Sequence, residues 1–85
     1  MVQVVLPSFL AEQADGRKRI EVEAETVGEA LRALPVADLL LDERGELRRL
    51  AWVYVDGEDA REHGGLECPL AGAREVRIVG AVAGG

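Results

Sequence analysis

Two glycines, Gly84-Gly85, close the 85-residue sequence, behind a run of small uncharged residues, Gly80-Ala81-Val82-Ala83. Glycine has no Cβ, so its backbone reaches dihedrals that other residues avoid and approaches other atoms closely. A branched final residue would crowd the terminal carbonyl carbon; Gly85 leaves it open. A chain-end carboxyl titrates near about 3.3–3.7, so at neutral pH it is an anion that repels nucleophiles. Chemistry there requires prior activation to an acyl group with a good leaving group. Extended at up to ~3.3–3.6 Å per residue, Gly80 to Gly85 reach roughly 20 Å, far enough to thread into another enzyme's active site. The competing reading is a frayed, inert terminus.

Other reactive side chains are few. Cys68 is the single cysteine, which excludes a disulfide framework and a cysteine metal cluster. With Pro69 behind it and no basic neighbour, it reads as a buried filler, since free cysteine packs as a small hydrophobe. His63, the single histidine, lacks a carboxylate–serine pair in sequence and reads as a solvated turn residue. Gly64-Gly65 reads as a turn needing positive φ. Asp38-Leu39-Leu40 begins like a phosphopantetheine attachment motif, but no serine follows. Lys18, the only lysine, sits in a charged strand, which argues against a biotin or lipoyl carrier. There is no phosphate-binding loop, zinc spacing or dinucleotide fingerprint, so no metal or bound cofactor is expected. No nucleophile–base pair marks an enzyme in its own right.

The composition fits one small domain. Hydrophobic residues make up 48% and charged residues 31%, a soluble globule rather than a disordered chain. Aromatics are limited to Phe9, Trp52 and Tyr54, so Val, Leu, Ile and Ala must build the core. The net charge of −6 argues against a nucleic-acid partner and suits docking onto basic protein surfaces. The N-terminus lacks a signal-peptide pattern and no apolar run approaches the ~20 residues of a membrane span. A cytoplasmic protein with no membrane partner is expected.

The elements that must position the tail follow from periodicity. Val2 to Leu6 is a β-branched strand limited by Pro7. Phe9 and Leu10 open a connector to the turn Ala14-Asp15-Gly16. Arg17 to Ala24 alternates charged and apolar residues, a half-exposed strand forming a hairpin with the first. Thr26-Val27-Gly28-Glu29 predicts a capping box, with Glu29 reaching back to the cap amide. Val27, Ala30, Leu31 and Leu34 fall on one helical face, stopped by Pro35. Val36 to Leu41 reads as a helical turn lidding the core, and Asp42 to Glu46 as a charged loop. Leu50 to Val55 is the strongest strand, followed by the tight-turn pair Asp56-Gly57. Glu58 to Glu62 is a short polar edge segment, Leu66 to Leu70 a connector, and Glu75 to Val79 the last strand.

This order predicts an α+β, β-grasp (ubiquitin-like) fold: a mixed sheet of four to five strands with one main helix packed across it. The first and last strands lie side by side in the middle, so the chain leaves the sheet at its tail. Residues 1–80 form the β-grasp domain and 81–85 the flexible diglycine tail.

With that order, Tyr54-Val55, Glu58-Asp59, Arg61, Gly64-Gly65-Leu66, Val76, Ile78 and Ala81-Val82-Ala83-Gly84-Gly85 carry a resemblance to the ubiquitin-like sulfur carriers of the MoaD/ThiS family. The likeness is densest from Arg49 to Gly85 and closest to members serving cysteine synthesis. The resemblance implies that an ATP-dependent, ubiquitin-activating-like partner adenylates Gly85, which becomes a thiocarboxylate. Gly85 then carries the sulfur, while Gly84, Ala83, Val82 and Ala81 thread into partners. A sulfur-accepting synthase and a sulfur donor protein are the further partners implied. The acceptor is O-phosphoserine in cysteine synthesis; a thio-sugar, thiazole or molybdopterin product would use the same carrier chemistry.

Trp52 and Tyr54 share a strand face opposite Val53 and Val55. If the helix covers the valines, both aromatics lie on the open face, with Arg77 and Val79 alongside, as a docking patch for the activating enzyme. The alternative is that the loop from Pro35 to Leu50 covers them as core. Two other functions remain open: a ubiquitin-like modifier joined through Gly85 to target lysines, and a binding domain with an inert tail.

Overall fold

The computed structural model describes residues 1–48 and 51–80. Alternating apolar residues build strands that bury one side each. β1 (Val2–Val5) pairs antiparallel with β2 (Arg19–Val22), Val4 opposite Ile20. β1 also pairs parallel with β5 (Glu75–Gly80), Val4 beside Val76. On the far side of β5, β3 (Ala51–Val55) runs antiparallel, and β4 (Glu58–Asp59) adds the edge. The sheet order is β2-β1-β5-β3-β4. The first and last strands are therefore central neighbours, as expected, and the architecture is the β-grasp fold. Parallel pairing demands a crossover, since a tight turn cannot reverse the chain between parallel neighbours.

Helix α2 (Val27–Arg32) lies on the core side of that sheet. The Thr26 hydroxyl accepts from the Glu29 amide at 3.2 Å, satisfying an amide that the helix itself leaves unpaired. The reciprocal bond departs from the expectation: the Glu29 carboxylate accepts from the Glu25 amide at 3.2 Å, one residue before the cap. The Val27 amide, the first inside the helix, donates to the Cys68 carbonyl, tying the helix start to the second half of the chain. Val27, Ala30, Leu31 and Leu34 are all buried, as their spacing requires, together with Val4, Val53, Val76 and Ile78. Helix α3 (Ala37–Leu40) is the expected lid, with Val36, Leu40 and Leu41 buried.

Two expectations are corrected. The connector after Pro7 is a helix, α1 (Ser8–Gln13), with the Pro7 carbonyl accepting from the Leu10 and Ala11 amides. Leu10, Ala11 and Ala14 are buried, a helical spacing too short to stand out from a loop. The second strand is shorter than Arg17 to Ala24, because Arg17 turns back to the Ala14 carbonyl. The polar segment after β4 continues as a 3-10 turn over Ala60–His63.

The Asp56-Gly57 turn has φ of 49° and 88°, the type I′ pattern that matches the strand twist and favours glycine at its second position. Asp56 does more than turn the chain. Its Oδ1 accepts from the Arg74 and Glu75 amides at 3.1 and 2.9 Å, and its own amide donates to the Glu75 carbonyl. Charge-assisted bonds of this kind are stronger than neutral ones. They fasten the start of β5 beside the end of β3 and so set the register that carries the chain to Gly80.

Candidate functional site

The site is built from β5 outward. Val76 and Ile78 enter the core while Arg77 and Val79 leave it, because successive side chains of a strand alternate faces. On β3, Ala51 and Val53 are buried and Trp52 and Tyr54 point to the other face. The antiparallel register sets Trp52 opposite Val79 and Tyr54 opposite Arg77. The four patch residues expected from sequence are thus contiguous on the open face. Trp52 is 39% and Val79 41% exposed, and Tyr54 is half-buried. The loop between α3 and β3 does not bury them among the core residues.

Sequence reasoning missed the partner of Trp52. The Arg61 guanidinium stacks over the indole, 4.8 Å from its centroid, a cation–π contact that holds the ring in place. A basic residue nine positions past a strand tryptophan is no signal without the intervening turn. Arg77 is held along its own strand, its Nε donating to the Glu75 carboxylate at 3.1 Å. Arg19 reaches the Gln3 side chain on the same sheet at 3.3 Å. Such exposed pairs contribute little stability; their effect is to keep the open face charged yet ordered.

Gly80 is the last described residue of β5, paired with Ala51. The expected sulfur-carrying Gly85 and the threading residues Ala81, Val82, Ala83 and Gly84 lie outside the described residues.

The remaining reactive groups do not converge on a catalytic centre. Cys68 is buried, and burial, with the nearby Glu58 carboxylate adding to it, raises its thiol above the ordinary value of 9.0. This is the inert filler read from sequence. His63 lies in the 3-10 turn with its Nε2 2.7 Å from the Glu58 carboxylate, and both side chains are well exposed. Gly64 and Gly65 have φ of 103° and 63°, the positive values expected for this turn. Among the described residues no group of three or more His, Cys, Asp or Glu side chains is placed to hold a metal ion, and no helix is long and apolar enough to cross a membrane.

The Cys68 shift carries a sign. A thiol raised in the fold favours its neutral form there, so its contribution to stability is complete below pH 9.0. Above that the unfolded chain gains by ionising, and the contribution is lost as pH rises through the folded value. The unfolding midpoint of the parent is expected to fall more steeply than that of Cys68→Ala between neutral pH and pH 10. Equal slopes in parallel denaturant titrations would remove the argument.

The ThiS family model matches residues 4–85. The sulfur carrier protein CysO of Mycobacterium tuberculosis is 33% identical over 91 residues, covering 99% of this chain and 98% of its own. Its crystal structure superposes with a TM-score of 0.84 at 29% identity, covering 96% of this chain and 100% of that one. The Amycolatopsis orientalis BexX/CysO complex contains a chain matching with a TM-score of 0.83 at 33% identity, with full coverage of both. SAMP1 of Haloferax volcanii matches with a TM-score of 0.74 at 30% identity, covering 99% and 98%. The curated CysO relative is named as a sulfur carrier protein, in line with the sequence reading of a carrier rather than an enzyme.

Proposed function

Because the chain belongs to the ThiS family and is a sulfur carrier of the CysO type, we propose that Gly85 is the group on which the sulfur travels. The observation that carries this reading is the family match running through residue 85, over a fold whose central strand points the chain out of the sheet at Gly80. The steps follow from carboxylate chemistry. The Gly85 carboxylate oxygen attacks the α-phosphorus of ATP on a partner enzyme, and pyrophosphate leaves. A sulfide-level donor then attacks the acyl carbon, AMP leaves with the oxygen, and a thiocarboxylate remains. That sulfur displaces a leaving group from the acceptor, giving an acyl thioester. Water then cleaves its acyl–sulfur bond, returning the carboxylate and leaving the thiol on the acceptor. The protein supplies no catalytic side chain to any step; it supplies the carried carboxylate and a surface that enzymes recognise.

We take the acceptor to belong to cysteine synthesis, with O-phosphoserine as the substrate, because the resemblance of the tail half is closest to carriers serving that synthesis. A thio-sugar, thiazole or molybdopterin acceptor would use the same carried group. A second reading, conjugation of Gly85 to target lysines, is favoured by the likeness to SAMP1, a small archaeal modifier protein. Both readings share the adenylation and differ in the nucleophile that follows.

The test is the intact mass of the protein after incubation with host extract, ATP and sulfide. An alkylatable mass increase equal to an oxygen-for-sulfur exchange is the expected result. An unchanged mass, with conjugates on other proteins, would transfer the assignment to the modifier. The open face is the proposed dock for the activating enzyme. Trp52→Ala, which removes an aromatic anchor, is expected to slow loading by about thirtyfold, the roughly 2 kcal/mol at which an interface hot spot begins. Loading at the parent rate would remove the patch from the interface.

A further inference from the structure

The two edges of the sheet are built differently. β4 is two residues long and runs directly into the 3-10 turn, and so short an edge offers little to a neighbouring strand. β2, at the other edge, pairs with β1 on one side only. The Lys18 carbonyl accepts from the Leu6 amide of the β1 side at 2.7 Å. Backbone direction alternates along an antiparallel strand, so Lys18, Ile20 and Val22 address β1. Arg19 and Glu21 therefore aim their N–H and C=O groups out of the sheet. Both residues are exposed, as are Arg17 and Glu23 beyond the strand ends. Ile20 lies on the core side, opposite Val4, and is half-buried against the core cluster.

The edge reads Arg17-Lys18-Arg19-Ile20-Glu21-Val22-Glu23. Charged side chains on an edge ordinarily keep other strands away. This series is complementary to itself. Turned end for end about Ile20, it sets Glu21 opposite Arg19 and Glu23 opposite Arg17. Arg19 and Glu21 then exchange both backbone hydrogen bonds, since both aim outward. Ile20 meets its own copy at a non-hydrogen-bonded position, where opposed side chains lie closest. A slip of one residue brings inward-aimed groups against outward-aimed ones and forms no ladder. A slip of two sets Arg19 against Arg19 or Glu21 against Glu21, and like charges directly opposite are destabilising. Among the described residues, none of Arg17, Arg19, Glu21 and Glu23 stands in an ion pair. Arg19 spends one nitrogen on the Gln3 side chain at 3.3 Å and keeps its others for a partner.

We propose that β2 is a self-recognition edge: two copies of the chain join β2 to β2, antiparallel about Ile20, into one ten-stranded sheet. Main-chain bonds supply the affinity of such strand addition, and the side-chain pairs select the partner. The interface is isologous, the same patch on both copies, with its two-fold axis normal to the sheet. Both open faces therefore lie on one side. β1 stands between β2 and β5, so Trp52 and Val79 stay uncovered. The two β5 strands lie five strand spacings apart, about 24 Å, and run in opposite directions, so the chain leaves Gly80 at opposite ends of the joined sheet. The seam is one strand wide, far smaller than a permanent dimer interface, and the association is reversible. None of this depends on what Gly85 carries.

The test exchanges charges across the seam. Full-length parent, Arg19→Glu, Glu21→Arg and the double variant Arg19→Glu/Glu21→Arg are sedimented over a concentration series up to ~1 mM. The salt is about 0.15 M, where a Debye length of roughly 8 Å screens the repulsion between two chains more than side chains in contact. The parent is expected to dimerise with rising concentration, and each single variant at least about tenfold more weakly, since two attractive pairs become repulsive. The double variant should return to the parent constant, its pairs restored with the signs reversed. An equimolar mixture of the two single variants should form a dimer that neither forms alone, which also shows that both are folded. Arg19→Glu makes the chain more acidic and Glu21→Arg less, so an effect of net charge alone would move the two in opposite directions and would overturn the proposal. A parent that stays monomeric, a dimer indifferent to either single variant, or a double variant as weak as the singles overturns it as well. Sulfur loading of the parent, followed separately by intact mass, reports on the carrier reading and not on the seam.

Discussion

Deletion of Gly85 is expected to give a protein that melts like the parent and gains no sulfur. Among the described residues the buried cluster extends from Val2 to Ile78, and that core is what the melt reports. The proposed chemistry, by contrast, depends on where the last carboxylate sits. Removing one residue leaves a carboxylate on Gly84, displaced by up to ~3.5 Å along an extended chain. Misplacing a reacting group by even ~1 Å can cost on the order of a hundredfold in rate. Loading by host extract, ATP and sulfide should therefore fall by at least about a hundredfold, read as the missing sulfur-exchange mass at unchanged unfolding temperature. A deletion variant that loads at a comparable rate would show that the terminal residue is not the carrying group.

The opposite separation is expected for Leu31→Ala. Leu31 is fully buried in the last turn of α2, in the layer that covers Val4, Val53 and Val76. Truncating a buried leucine removes its transfer free energy and leaves a cavity, at a cost of about 2–5 kcal/mol. Small domains are stable by only about 5–15 kcal/mol, and each kcal/mol shifts the melting temperature of a 60–100-residue domain by roughly 4–8 °C. A fall of roughly 8–40 °C in a circular-dichroism melt is the expected outcome. Below the new midpoint the loading rate should match the parent, because Leu31 is fully buried and presents nothing to a partner. A loss smaller than about 4 °C would mean that α2 does not close the core in the way described.

The two variants divide the molecule along a line that is also the line of legibility. The alternation Val76-Arg77-Ile78-Val79 and its counterpart Trp52-Val53-Tyr54-Val55 were readable as two-faced strands, since side chains in a strand alternate whatever its neighbours are. Thr26 with Glu29, Pro35, and Asp56-Gly57 marked element ends through local chemistry that acts within a few residues. The pairing of the first and last strands followed from fold-level regularities and from the resemblance carried by Tyr54 to Gly85. Short helix α1 was not legible: Leu10, Ala11 and Ala14 span too few residues for a helical period to declare itself.

The amino-acid sequence by itself determined the strands and their two faces, the capped helix, the turns, the buried cysteine and the diglycine on which the proposed function rests. Each of these is decided by neighbours along the chain or by a residue's own chemistry. The tertiary structure alone decided what meets across the chain. It set Arg61 over Trp52 and brought the Asp56 carboxylate to the Arg74 and Glu75 amides. It also placed Phe9 and Leu39 along one groove that opens at Gly80. These juxtapositions depend on how separately formed elements pack, and packing is set by the shape of the whole core rather than by any local pattern. For that reason the two faces of each strand could be read along the chain, while the surfaces on either side of β5 emerged only when the sheet was assembled.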